Sequence, residues 1–547
     1  MMFAEIPNNG QEANDDSVVT EVFGQAPTES TKKFLREQFD KIKITNYEAE
    51  KPGTENDAIR FLKSKDNPED RIVRILYPGS EYPVIIQIPE KAGLPADLAE
   101  SIQTWEDIQH QVMMDETTLW VIANLAARYN RKQPVVLEGP PAVTKTFGTW
   151  VFACIIEQPY HRVSFSAGTR ADDLFGSRTP DITQRVRNDI KRLLESVAVS
   201  THINSRKNAL KKLEERGEDT SEQYITLESQ ISLFETLKQM LDAEEIDEEQ
   251  VLYAALMLQE LPGMTQLVHE TQFSWQDSRL TKILKYGGVL ALDELNVADP
   301  EVVEALLAVL EVNTRRIPMP EARLEGTLTQ HPNAFAVAAQ NPPNVGGGRS
   351  ELSRATQSRT EFVELPGVTE SYVENVLRFF MSGIESDFLV NGKMMKGRKG
   401  VETEYHKYFK QAPSLELIIK TIAQVHISFD KMVNAGEIGR KSKRDGGSYV
   451  FDQRDVTAIV SAIACTIETS YVVDTPTGLD YAEIDWEDVI KRALEQVYLT
   501  GMLDFKDDSD RERAEAVIDG LPLWGRLRMA KAQEAKQQAA QTGEVDW

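Results

Sequence analysis

The stretch that most constrains this chain is Val135 to Thr146, VVLEGPPAVTKT. Its apolar start reads as a short buried strand, Gly139-Pro140-Pro141 turn the chain, and Lys145-Thr146 open a helical run through Trp150 and Ile156. A strand that runs into a helix N-terminus leaves several backbone N–H groups without partners at the junction, and the helix dipole favours an anion there. A second apolar strand, Arg162 to Ser166, follows the helix. Strand, helix, strand is the opening of a parallel α/β sheet. An ordinary connection gives the same local pattern, since Gly-Pro-Pro is a common way to turn a chain, so the remaining sequence has to decide between a site and a turn.

Upstream, residues 1–28 are polar and acidic and read as a flexible terminus. Residues 29–104 read as a small accessory α+β domain, with a helix near Phe34 to Phe39 and strands over Arg71–Leu76 and Tyr82–Ile88. Residues 105–182 carry helices, the opening stretch and the second strand. Residues 183–269 are highly charged, with apolar residues at helical intervals and a break at Gly217-Glu218-Asp219. They read as an inserted antiparallel helical hairpin, either a cap on the sheet or an arm for a partner.

The α/β pattern resumes over 270–366. Gly287-Gly288 precede the apolar strand Val289–Leu292, which ends in two acids, Asp293-Glu294, at the end where open parallel sheets bind ligands. A helix from Pro300 to Leu310, a β-hairpin between Arg316 and Leu328, and a buried strand from Ala334 to Ala339 follow, the last running into Gln340-Asn341. After Gly346-Gly347-Gly348, Glu351 to Ser358 read as helix, and Arg359 precedes a strand over Phe362–Leu365. Residues 367–500 read as a helical lid with Arg454 at the head of an apolar helix, and 501–547 as a helical or frayed tail.

The whole chain of 547 residues carries a net charge of −26, which points away from a surface that grips nucleic acid. Its two cysteines, Cys154 and Cys465, are far apart and fit neither a disulfide framework nor a metal cluster. No signal peptide and no stretch of transmembrane length is seen, so a soluble, cytoplasmic protein without membrane insertion is expected.

Taken in order, these segments resemble a AAA+ ATPase of the MoxR and midasin-like (dynein-related) branch. The resemblance covers roughly residues 113–366 and, more weakly, the helices to about 499. Gly139 to Thr146 is similar to the phosphate-binding loop G-x-x-x-x-G-K-[ST], with Thr144 where the second glycine is expected. SFSAGTRADDLFG is similar to the family's second strand and its D-L-x-G segment. GGVLALDELNVADPEVVEALLAVLE matches the Walker B strand and helix, and HPNAFAVAAQNPPNVGGGRSELSRATQSRTEFVELP the stretch from sensor 1 to the arginine finger.

The fold implied is a AAA+ parallel-sheet core with an inserted helical hairpin and a helical lid. The loop implied to hold ATP is Gly139, Pro140, Pro141, Ala142, Val143, Thr144, Lys145 and Thr146, with Mg2+ on Thr146 and Asp293. Glu294 is implied to activate the attacking water, Asn341 to act as sensor 1, Arg359 as arginine finger with Arg354 as runner-up, and Arg454 as sensor 2. Read from the residues alone, Asn341 also suits a turn cap before Pro342, and Arg359 and Arg454 suit surface ion pairs. The expected function is ATP-driven remodelling of a partner protein by a homo-hexameric ring, the partner in this branch often carrying a von Willebrand A domain. The alternatives are a nucleotide-switched assembly protein with weak hydrolysis and, less favoured by the charge, a nucleic-acid motor subunit.

Overall fold

The computed structural model describes residues 27–42, 44–50, 58–91, 93–140, 145–166, 168–170, 174–180, 197–242, 273–311, 315–318, 327–342, 351–365, 367, 369–410, 412–438, 453–475, 478–481, 484–502, 508–521 and 523–526. The chain divides into two compact units. The first comprises Met1–Ala171, Arg279–Pro320 and Leu324–Trp547; the second comprises Asp172–Ser278 and Glu321–Arg323.

The first unit begins with helix α1 (Glu29–Lys41), N-capped by the Thr28 hydroxyl, which accepts from Thr31 N at 3.2 Å. Strands β1 (Tyr47–Ala49), β2 (Ile59–Ser64), β3 (Arg71–Ile75) and β4 (Val84–Gln87) then form an antiparallel four-stranded sheet in sequential order. Helix α2 (Glu116–Arg131) follows, capped by Asp115 and closed by Lys132 in the left-handed region. Every residue from Thr118 to Tyr129 is buried, because α2 is covered on several sides at once. Leu35, Val73 and Ile86 join Leu119, Trp120, Val135 and Phe152 in one apolar cluster. The N-terminal sheet therefore shares its core with the segment that carries the opening strand. A buried polar line runs through it, with Tyr77 Oη donating to Asn124 Oδ1 at 2.7 Å and Arg128 donating to the same oxygen at 2.7 Å.

Strand β5 (Val135–Glu138) leads to helix α3 (Lys145–Ile155) and strand β6 (Tyr160–Ser164). Gly148 lets α3 lie close against α2, since a Cβ there would come within 2.8 Å of Val121 Cγ1. The second unit, taken by itself, holds β7 (Gly176–Pro180) paired antiparallel with β8 (Phe273–Asp277). Between them in sequence come α4 (Val197–Glu214) and α5 (Ser221–Asp242). Leu210 and Leu227 are buried in these two helices, and the turn between them uses Gly217 at φ 79° and Asp219, which accepts from Ser221 N at 3.0 Å. Residues 183–196 and 243–269 of the expected insertion lie outside the described residues.

Back in the first unit, α6 (Arg279–Tyr286) precedes β9 (Gly288–Asp293), entered through Gly287 and Gly288 at φ 100° and 137°. Helix α7 (Pro300–Leu307), the hairpin of β10 (Arg316–Pro318) with β11 (Thr327–Thr329), and β12 (Ala334–Gln340) follow. The expected helix at 351–358 is only one turn, α8 (Arg354–Gln357), whose start is set by Ser353, the cap that accepts from Thr356 N. Strand β13 (Glu361–Glu364) completes a five-stranded sheet in the order β13-β5-β12-β9-β6, every pairing parallel. The two central strands β9 and β12 are buried at every position, as a sheet covered on both faces requires.

The lid is built on α9 (Glu370–Ser382), α10 (Leu415–Ala435), α11 (Gln453–Ser470) and α12 (Trp486–Leu494). They surround a second apolar cluster that includes Phe379, Phe429, Ile463 and Tyr498. Two antiparallel hairpins, which the sequence reading of a mainly helical lid did not include, lie between these helices. Phe388–Val390 pairs with Lys393–Met395 across Asn391-Gly392, both at positive φ, and Val472–Thr475 pairs with Gly478–Tyr481. Among the described residues, no helix is long and apolar enough to cross a membrane.

Candidate functional site

Connections leave β5 and β12 in opposite directions along the sheet, β5 toward β6 and β12 toward β13. Adjacent strands whose connections diverge leave a crevice between their carboxyl ends, where open sheets bind ligands. Register aligns Glu138 with Gln340 and Asp293 with Ala339, so the polar residues that end three strands lie at one level.

Lys145, at the start of α3, reaches back into this crevice and is buried. Its Nζ donates to Gly139 O at 2.8 Å, to Pro140 O, and to Asn341 Oδ1 at 3.0 Å. Asn341, only 6% exposed, passes the contact on through Nδ2, which donates to Glu294 Oε1 at 2.8 Å. A single side-chain amide thus bridges an ammonium and a carboxylate, a task that needs an acceptor and a donor in one planar group. Glu294 is held at φ 58° and ψ 39°, left-handed backbone that is uncommon for a residue with a Cβ, and its N–H donates to Ala339 O at 2.8 Å. Backbone set there turns the carboxylate out of the strand toward the crevice.

Two residues that the sequence reading did not assign to the site help to hold it. Asn296, 1% exposed, donates from Nδ2 to Asn341 O at 2.8 Å and fixes the turn after β12. Arg162, on β6, donates to Asp293 Oδ2 and forms an ion pair with it. Asp293 is itself tied to β6 where Phe165 N donates to Asp293 O at 3.0 Å. Beside this site, burial pushes the Tyr160 phenol up to about 12. Burial likewise pushes the Cys154 thiol in α3 up to about 12, so it packs as a neutral apolar group rather than a nucleophile.

Gly139 occupies the tightest position of the loop. A Cβ there would meet Leu365 Cβ at 2.8 Å and Leu365 O at 3.0 Å, beside the bond from Leu365 N to Glu138 O. Pro141, Ala142, Val143 and Thr144 lie outside the described residues. Thr146 is half-buried in the first turn of α3, one residue beyond Lys145.

The other expected residues are not gathered into this crevice. Arg359 precedes β13, whose Glu361 aligns with Val135, so it lies at the amino-terminal edge of the sheet, opposite the Lys145 end. Its Nε donates to Glu311 Oε2 at 3.0 Å and its NH1 to Ala355 O at 2.9 Å. Arg354 is exposed on α8, and Arg454 is exposed at the head of α11 in the lid. A cavity of about 430 Å³ lined by Arg60, Arg71, Trp105, Glu385 and Arg398 lies elsewhere and includes none of Lys145, Asp293, Glu294 or Asn341.

Asp293 and Thr146 carry oxygen donors of the kind that magnesium takes. Hard divalent cations take oxygen ligands, few of them from protein when a polyphosphate supplies the rest. The Asp293 carboxylate already holds a positive group in Arg162, and Thr146 offers a hydroxyl at the helix start.

Comparison with known proteins covers the part of this site that β9 and β12 carry. The model of an AAA domain of the dynein-related subfamily matches residues 232–360, which hold Asp293, Glu294, Asn341 and Arg359. Midasin of Dictyostelium discoideum is 34% identical over 120 residues, 22% of this chain and 2% of midasin. Midasin of Giardia intestinalis is 34% identical over 91 residues, 16% of this chain and again 2% of that protein. The chain therefore matches only a small fraction of the length of these relatives. ATPase activity and nucleotide binding are traits of this domain class. Residues 232–360 of this chain are thus similar to an AAA domain of the dynein-related subfamily, and short stretches of it to midasin.

Proposed function

We propose that this chain hydrolyses ATP as a subunit of a closed ring, with six copies the expected number, and uses the cycle to remodel a partner protein. The observation that carries the reading is the line Lys145–Asn341–Glu294 at the divergent strand ends. It sets a cation for phosphate oxygens and a carboxylate for a water on either side of one amide.

In this reading the N-terminus of α3 receives the phosphates, and the Lys145 ammonium exchanges its carbonyl partners for phosphate oxygens. Thr146 and Asp293 would hold magnesium, which when bound neutralises charge on the phosphates. Glu294 orients the attacking water and takes its proton, while Asn341 keeps that carboxylate at a fixed distance from Lys145. Arg359 cannot serve its own chain's nucleotide from the opposite edge of the sheet. It acts on the site of a neighbouring copy, which makes a ring part of the mechanism rather than an addition to it.

A mixing experiment tests this. Arg359→Ala and Lys145→Met are each expected to abolish phosphate release alone. An equal mixture regains about a quarter of wild-type turnover, the chance that an intact Lys145 faces an intact Arg359 in a ring of shared sites. A mixture as inactive as its components would contradict the shared site.

A further inference from the structure

The ion pair between Arg162 and Asp293 joins the edge strand of the sheet to the acid expected to face magnesium. We infer that Arg162 is a resident counter-cation for Asp293, which the incoming metal–nucleotide complex has to displace. It thereby sets the magnesium concentration at which the site loads. This inference rests on the nucleotide reading above and adds a control to it.

Three observations carry it. The partners are unequally exposed: the Asp293 side chain is 12% accessible, the Arg162 side chain 46%. The carboxylate is fixed in the fold, whereas the guanidinium regains water as soon as it swings away. Asp293 is also anchored through its backbone, where its carbonyl accepts from Phe165, so the acid cannot follow the arginine outward. The register of β6 on β9 finally places Arg162 opposite Ala291, two residues short of the strand end, so the side chain must extend toward the carboxyl end to meet Asp293. A hydrated divalent cation and a guanidinium at one carboxylate repel each other, so loading is an exchange of one cation for another.

The test measures binding, not turnover. The full chain is titrated with magnesium in the presence of a fluorescent ATP analogue, and the midpoint of the magnesium-dependent signal is compared between variants. Arg162→Met is expected to lower that midpoint about fivefold while leaving metal-free nucleotide affinity within about twofold. Arg162→Lys retains a cation and should fall between the two. In an Asp293→Asn background, Arg162→Met should no longer move the midpoint. Unchanged or raised midpoints in Arg162→Met, with nucleotide still bound, would overturn the counter-cation role alone. Absence of nucleotide binding by the wild-type chain at any magnesium concentration would overturn the functional reading and this inference together.

Discussion

Replacing Asn341 by aspartate changes one nitrogen to oxygen and leaves the volume intact, yet it reverses one of two contacts. The bond from Lys145 Nζ to the side-chain oxygen, now at 3.0 Å, survives with added charge. The bond from Nδ2 to Glu294 Oε1, now at 2.8 Å, becomes two carboxylates face to face. A hydrogen bond to a charged group contributes about 1.5–3 kcal/mol. Two like charges at about 4 Å repel by about 4 kcal/mol at an effective dielectric of 20. With partial relaxation the loss is about 2–4 kcal/mol, or roughly 30- to 1,000-fold in kcat if Glu294 positions the water. Steady-state phosphate release at saturating ATP reads this loss, and a fluorescent nucleotide shows that binding is retained. Asn341→Ala, which removes the bridge without adding charge, should be less impaired at pH 8. The aspartate variant should also recover as pH falls, because a proton shared by the two acids restores a donor. A turnover of Asn341→Asp within about threefold of wild type at pH 8 would show that the amide bridge does not organise the chemistry.

Other perturbations have equally definite expected outcomes. Gly139→Ala forces a Cβ against Leu365, whose backbone is fixed by its bond to Glu138, so unfolding should be easier by about 1–3 kcal/mol and nucleotide affinity weaker. Desolvation raises the Asp115 carboxyl from its ordinary 3.8 to about 6. The fold therefore favours the neutral acid, and stability is lost as pH rises from about 3.8 through 6. Asp115→Asn keeps the acceptor for Thr118 N, so it should raise the melting temperature above pH 6 and flatten this pH dependence, by roughly 3 kcal/mol at most. In the lid, burial lowers the His426 imidazole from 6.5 to about 4 beside the Tyr498 hydroxyl, 2.7 Å away. The neutral ring is favoured, so its contribution is present above pH 6.5 and lost as pH falls through 4; acid melting curves of wild type and His426→Gln should converge there.

The core was legible because its strands are short apolar runs ended by polar residues at one level. Asp293-Glu294 after Val289–Leu292, and Gln340-Asn341 after Ala334–Ala339, stand out in sequence for that reason. The contacts that organise the crevice were not legible. Arg162 lies 131 residues from Asp293, and their meeting depends on β6 pairing with β9 rather than on local pattern. Asn296 looks like any polar residue after a strand until its amide is seen on the Asn341 carbonyl. The lid hairpin at Asn391-Gly392 did carry a signal, since Asn-Gly between apolar residues is a strong turn pair, but strands of three residues are too short for alternation to register. The N-terminal sheet read as a separate domain for a similar reason. Its sharing of a core with α2 shows in sequence only as a helix apolar on nearly every face.

In the proposed cycle Glu294 activates water at a triphosphate held by Lys145. Phosphate release from ATP by wild-type chain and by Glu294→Gln, with nucleotide binding measured on both, tests it most directly. Both proteins should bind ATP, and only the wild type should release phosphate. Equal release by the two would contradict it.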